Sequence, residues 1–297
     1  MKKGFESSLK SVETENVIDL YFYRPLGYGL AYMLCNTRVS PNMVTILSIF
    51  VGSSAAYFFY FNHWLYNLTG IAMLVAANIL DCVDGQLARL TGKKSEIGRI
   101  LDGIAGDIWF TLIYVSFALQ LKHIYGTGWF FLPAVLSGLS HLVQANVTDY
   151  YKTLHLYFVS KEKGREFHSS KQVRAQQKTQ QRGLYRFFYM LYKAYTGLQE
   201  WLTPSLQRLM QRLHETYGDD IPEVIRQDFR RRSRHLMKRY IDLLTFNGRM
   251  VVLFVVVLSG HEWMYFIYEG IVLNLVLFLS IRKHEGMCRQ IISSIHT

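Results

Sequence analysis

The chain predicts an all-α, polytopic membrane protein with about six transmembrane helices, an N-terminal interfacial helix and a cytoplasmic helical insertion. Three observations carry this expectation. The 297 residues are 50% hydrophobic and 15% aromatic, and mean hydropathy stays positive at +0.09 despite 33 Lys and Arg and 22 Asp and Glu. The apolar residues must therefore lie in blocks, and they do: 43–61, 65–80, 100–121, 129–142, 250–258 with its flanks, and 265–281. Several approach the roughly 20 residues that cross a bilayer core, and the others complete a span with their flanks. Finally, the net charge of +11 is carried by alternate connections between the blocks, as the positive-inside rule requires. That placement argues against nucleic-acid binding as the reason for the charge. It also puts both termini in the cytoplasm, in a bacterial inner membrane or an equivalent lipid-synthesising membrane.

Each element has a local reason. Residues 17–35 set Leu20, Phe22, Leu26, Leu30 and Met33 among Tyr and Arg, the pattern of a short helix lying in the interface. Ser40-Pro41-Asn42 supplies a cap and a first-turn proline, so the first span starts near Asn42. Basic residues near the start are not followed directly by an apolar core, so no cleavable signal peptide is expected. Cys35, Cys82 and Cys288 are odd in number and fall on the cytoplasmic side, which makes them free thiols. His155 and His168 lack zinc-ligand spacing.

The organisation expected is 1–159 for the interfacial helix and first four spans, 160–240 for a basic helical insertion, and 241–297 for the last two spans and a tail. Within the insertion, 184–201 repeats apolar residues at helical spacing, Thr203-Pro204 opens a second helix, and Pro222 opens a third that carries Arg226, Arg230, Arg231, Arg232 and Arg234. Such a surface either holds anionic lipid or is a solvated face that orients the protein. No internal repeat is visible.

The chemistry lies in Asp81-Cys82-Val83-Asp84-Gly85-Gln86-Leu87-Ala88-Arg89, leaving the second span, and Gly98-Arg99-Ile100-Leu101-Asp102, entering the third. Asp81 and Asp84, three apart on a helix, share a face, and Asp102 on the antiparallel neighbour can point into the same space. Carboxylates gathered beside hydrocarbon repel one another unless a cation neutralises them. Hard oxygen ligands suit Mg²⁺ or Mn²⁺. Gly85, Ala88 and Gly98 leave room between helices, for packing or for a ligand.

These residues resemble the signature of the CDP-alcohol phosphotransferase family, D-x-x-D-G-x-x-A-R, eight residues, G-x-x-x-D-x-x-x-D. Asp81, Asp84, Gly85, Ala88, Arg89, Gly98 and Asp102 stand at the family spacing. The interfacial segment, Ser40-Pro41-Asn42-Met43-Val44-Thr45 and the six-span layout extend the similarity, whereas 160–240 has no family counterpart. The resemblance implies transfer of a substituted phosphate from a CDP-linked donor such as CDP-diacylglycerol to an acceptor alcohol, with release of CMP, in phospholipid or related head-group synthesis. The acceptor is open among inositol, inositol phosphate, glycerol phosphate, serine and a lipid hydroxyl. It implies that Asp81, Asp84 and Asp102 hold metal, that Gly85, Ala88 and Gly98 face cytidine, that Arg89 orients the cluster or the diphosphate, and that the protein is a homodimer in contact with membrane lipid.

The match breaks at its last position. The family's final aspartate, to which the general base is assigned, falls on Gly106, and an aspartate follows as Asp107. On a regular helix Asp107 lies about 140° from Asp102, whereas position 106 lies about 40° away. A π-bulge in 103–106 would bring Asp107 back as base and fourth metal ligand. The alternatives are another base, or a weakened relative that acts as a membrane scaffold. An ion-coupled transporter is a further possibility for intramembrane carboxylates, but it predicts repeats and broken helices. Asn146, Asp149, Asn247, Arg249 and Glu269 also fall in or beside spans. Arg249 is left between binding a phosphate, snorkelling and pairing with a carboxylate.

Overall fold

The computed structural model describes residues 2–9, 11–93, 95–159, 196–218 and 220–295, and among them all regular structure is helical. Among the described residues, six helical stretches are long and apolar enough to cross a membrane: Pro41–Phe59, Trp64–Thr91, Gly98–Tyr125, Gly128–Val159, Glu223–Ser259 and Trp263–Ser294. The chain divides into two compact units, 1–143 with 245–274 and 144–244 with 275–297.

The first unit opens with α1 (Lys2–Ser8) and, after a π turn at Asp19–Tyr23, α2 (Arg24–Leu34). Tyr21, Phe22, Leu26, Leu30, Tyr32 and Met33 are all exposed, the apolar face expected of an interfacial helix. Next, α3 (Pro41–Phe59) begins where the sequence predicts. The Ser40 hydroxyl accepts the Met43 N–H and Pro41 fills the first turn, where no partner for its missing N–H is needed. α4 (Trp64–Thr91) continues a full three turns past its apolar block and so carries the aspartates. It ends at Gly92, whose φ of 69° is open to glycine at little cost. Ser95 then caps α5 (Glu96–Tyr125) by accepting the Gly98 N–H at 2.9 Å, and α5 turns back to pack on α3.

These helices pack closely because small residues face large ones. A Cβ on Gly52 of α3 would fall within 2.5 Å of the Trp109 ring of α5, and one on Gly70 of α4 would strike the Phe59 ring. Phe59, Leu74, Trp109, Phe110, Phe117 and Tyr265 lie at the centre of this core. Large apolar side chains elsewhere on the same spans point outward, among them Leu112, Val115, Leu119, Val135, Val251 and Val255. An aqueous protein pays for such faces, whereas a bilayer accommodates them. α6 (Phe131–Val159), α9 (Phe246–Ser259), α10 (Trp263–Ile267) and α11 (Leu273–Ser294) supply the remaining span helices.

The second unit holds α7 (Pro204–Tyr217) and α8 (Glu223–Leu236), which start at the two prolines picked out in the sequence. Its core stacks Phe158 on Phe229 at 3.9 Å between ring centres, and Tyr151 on His284 at 4.1 Å. Of the helix expected over 184–201, residues 196–201 are helical and 184–195 lie outside the described residues, as does His168. All three cysteines are free thiols.

Candidate metal and substrate site

Asp81 and Asp84 leave the end of α4 on one face, and the Ser95-capped turn brings Asp102 of α5 opposite them. One carboxylate oxygen from each lies within 4.8 Å of the other two. Oxygens bound about 2.1 Å from an octahedral Mg²⁺ stand about 3.0 to 4.2 Å apart, so small side-chain rotations would close this set on one ion. Asp84 is buried, Asp81 half-buried and Asp102 exposed, which leaves one side of the group open to a ligand. The residue types and spacing fit a hard divalent cation and leave three mutually repelling carboxylates without one.

Thr45, one turn into α3, donates its hydroxyl to Asp84 Oδ2 at 2.5 Å, and both side chains are buried. Sequence reasoning assigned Thr45 no role. The available signal was a hydroxyl inside an apolar run, one turn after Pro41. Gly98 is close-packed against the α3 start: a Cβ there would lie 2.3 Å from Asn42 Oδ1 and 2.8 Å from Ser95 Oγ, and those two atoms are hydrogen-bonded to each other at 3.0 Å. Gly85 is less confined, with the Arg89 guanidinium 3.2 Å from its would-be Cβ, and Ala88 is half-buried beside it.

The N-terminal segment lies over the same stretch of α4. Arg89 donates to the Ser8 carbonyl, and Gln86 Nε2 donates to Ser8 Oγ and to the Arg24 carbonyl, both at 3.1 Å. Among the described residues, one further buried nitrogen of Arg89, Nη2, and the Nε of Arg24 have no hydrogen-bond partner. Arg24 pairs with Glu15 at 3.0 Å. Burial disfavours its charged form, yet the carboxyl groups around it, Glu15, Asp19 and Asp81, raise its pKa above the ordinary guanidinium value.

Asp107 stands elsewhere. α5 is α-helical from Glu96 to Tyr125, so the π-bulge expected at 103–106 is absent. The glycines there tolerate a bulge but nothing drives one, because Asp107 finds a partner across the regular helix: its Oδ1 lies 3.4 Å from His141 Nε2 on α6. The group of converging aspartates is Asp81, Asp84 and Asp102, without Asp107. His141 Nδ1 is 3.0 Å from Arg249 NH1 and 3.1 Å from the Tyr114 hydroxyl, and Arg249 forms a fully buried ion pair with Glu269. Arginine only donates, so toward Arg249 the Nδ1 atom can only accept; Glu269 Oε1 lies 3.5 Å from the same atom, and Asp107 faces Nε2. Of the roles left open for Arg249, pairing with a carboxylate is the one realised. A π turn does occur in this unit, at Tyr268–Val272, and it contains Glu269.

Residues 38–202 match the model of the CDP-alcohol phosphatidyltransferase family, more than half of the chain and all of the aspartate group. The match runs over 160–202, part of the stretch expected to have no family counterpart, and ends before the last two spans. The chain belongs to the CDP-alcohol phosphatidyltransferase family. It is 41% identical over 69 residues to an archaetidylinositol phosphate synthase from Pyrococcus horikoshii, a stretch covering 23% of this chain and 35% of that one. It is 33% identical over 75 residues to a CDP-diacylglycerol–serine O-phosphatidyltransferase from Mycobacterium leprae, covering 25% and 24% respectively. An uncharacterized protein from Aquifex aeolicus is 29% identical over 101 residues, 33% of this chain and 50% of its own length. The similarity thus spans between about a quarter and a half of these relatives. With its six apolar stretches, this member of the phosphatidyltransferase family is an integral, multi-pass membrane protein.

Proposed function

We propose that the protein transfers a substituted phosphate from a CDP-linked alcohol, such as CDP-diacylglycerol, to the hydroxyl of an acceptor alcohol and releases CMP. The observation that carries this reading is the convergence of Asp81, Asp84 and Asp102 within a chain of this family. The acceptor oxygen forms a bond to the phosphorus that bears the donor alcohol, the phosphorus–oxygen bond to CMP breaks, and the hydroxyl proton passes to a base. Mg²⁺ or Mn²⁺, when bound, supplies a counter-charge for the diphosphate as that bond breaks.

The three aspartates would hold the ion, and Thr45 fixes the orientation of Asp84. Gly85 and Ala88 leave the space beside α4 that a flat base requires, with Gly98 completing the wall through its contact with Asn42. Arg89 and Arg24 offer guanidinium nitrogens to the diphosphate. Asp107 is not a fourth ligand in this scheme. As a base, with His141 Nε2 at 3.4 Å from its Oδ1, it meets an acceptor that approaches from the α6 side of α5. The positive-inside distribution of Lys and Arg supports a cytoplasmic position for the aspartates, where a soluble nucleotide and a lipid both arrive.

The test is to incubate purified protein and Mn²⁺ with a panel of CDP-linked donors and acceptor alcohols and to follow CMP by chromatography. Release that depends on one donor and one acceptor supports the reading and names both substrates. A weakened relative acting as a scaffold is the competing account, favoured by Gly106 and by the unbroken helix that turns Asp107 from the cluster. Protein that binds a CDP-alcohol and releases no CMP with any acceptor decides for that account.

A further inference from the structure

A second feature, built wholly from residues after the family match ends at 202, is unrelated to the aspartates. α7 begins at Pro204 without a side-chain cap of its own; instead the Glu285 carboxylate of α11 accepts the N–H groups of Ser205 at 2.6 Å and Leu206 at 3.2 Å. That contact fastens the start of α7 to α11. Leu206, Leu209 and Leu213 turn fully inward, which fixes the rotation of α7 and directs Arg208, Gln211, Arg212 and Glu215 along its outer face. On α11, Arg289 and Ile292 follow Glu285 by four and seven residues and so share its face. The two helices flank a half-open groove of about 480 Å³, lined by these six side chains and Ser205.

The lining carries three guanidinium groups, one from the opposite wall, against one carboxylate. Gln211 donates to that carboxylate, Glu215, at 2.8 Å. Guanidinium forks match phosphate oxygens two at a time and remain charged at any physiological pH. A volume in the range of small-ligand sites exceeds what an isolated ion needs, and Ile292 gives one end an apolar surface. We propose that this groove between α7 and α11 is a binding site for a phosphate-bearing organic anion, separate from the aspartate centre. Arg289 lies about 12 Å along the helix beyond Ile281, the last residue of the final apolar block, at about 1.5 Å per residue. The headgroup layer on each side is only about 5 to 7 Å deep. The ligand is therefore either a soluble phosphorylated compound or a lipid whose headgroup phosphate stands well off the surface.

The test titrates full-length protein in a neutral detergent with inorganic pyrophosphate by calorimetry, with EDTA present so that no divalent ion holds phosphate at the aspartates. The double variant Arg208→Gln/Arg289→Gln should bind about tenfold more weakly or worse, and Glu215→Gln several-fold more tightly. Arg231→Gln/Arg234→Gln on α8 removes the same charge outside the groove and should leave affinity unchanged. Absence of pyrophosphate binding to the wild-type chain, or equal losses in the two arginine pairs, overturns the proposal. Circular dichroism confirms that each variant is folded. Repeating the titration in phosphatidylcholine nanodiscs with and without a phosphorylated inositol lipid separates the sources. Displacement of pyrophosphate by the lipid identifies a headgroup, and undiminished binding identifies a soluble ligand. CMP release should be unaffected by the groove variants, so failure of this site and failure of the proposed reaction are distinguishable.

Discussion

Replacing Thr45 by valine removes one hydroxyl and leaves the side-chain volume nearly unchanged. In the wild-type chain that hydroxyl donates to Asp84 Oδ2 at 2.5 Å, with both residues almost fully buried. Thr45→Val therefore leaves a buried carboxylate short of a donor and free to rotate out of the geometry it shares with Asp81 and Asp102. Loss of a group that orients a metal ligand typically weakens metal affinity about 10- to 100-fold, which is about 1.4 to 2.7 kcal/mol. Mn²⁺ binding, followed by the loss of the free-ion signal in electron paramagnetic resonance, reads this directly and does not depend on substrate. At saturating Mn²⁺ the variant should recover much of its CMP release, because the ligands themselves remain. Unchanged Mn²⁺ affinity in a folded Thr45→Val protein would refute the claim that Thr45 positions Asp84, and with it the assignment of Asp84 as an inner ligand held from α3.

Four further outcomes follow from the geometry. Gly106→Asp adds a carboxylate about 40° from Asp102 on an unbroken helix, where a Cβ meets open space; Mn²⁺ affinity should rise, and an unchanged value would show that this face of α5 does not look onto the ion. Arg249→Met leaves Glu269 buried without its ion-pair partner and should destabilise the protein by about 3 to 5 kcal/mol, whereas Arg249→Met/Glu269→Leu should lose less, as read from thermal unfolding in detergent. Gly52→Ala drives a methyl group into the Trp109 ring and should cost about 1 to 3 kcal/mol in the same assay; an unchanged midpoint would mean that α3 and α5 do not meet there. Asp107→Asn should reduce CMP release while leaving Mn²⁺ affinity intact, and a parallel loss of both would return Asp107 to the metal cluster.

The spans were legible because crossing a bilayer demands a long apolar run, and nothing else in a chain with 55 charged side chains produces six of them. Starts were read well where a proline opens the helix, as at Pro41, where Ser40 also caps, and at Pro204, where the expected Thr203 cap is replaced by Glu285. Ends were read less well. α4 and α6 continue far past their apolar blocks, because a helix that leaves the membrane stays a helix while its polar face finds partners. Asp81, Asp84 and Asp102 were legible from local spacing and the hairpin that joins α4 to α5. Thr45 and His141 were not, since each meets its aspartate across more than 30 residues of chain and neither has a local pattern. The bulge at 103–106 was expected because glycine permits distortion and a lipid-facing carboxylate would be costly. The protein meets that cost differently, by setting His141, Arg249 and Glu269 inside the bundle where Asp107 arrives on a regular helix.

The central claim is that three aspartates hold a divalent ion that the transfer requires. CMP release from a CDP-linked donor, measured for the wild-type protein and for Asp81→Ala, Asp84→Ala and Asp102→Ala with Mn²⁺ added after EDTA treatment, tests it most directly. The account predicts activity in the wild type that EDTA abolishes and Mn²⁺ restores, and loss of at least about 100-fold in each variant. Full CMP release from folded Asp81→Ala or Asp84→Ala, or release that persists in EDTA, would contradict it.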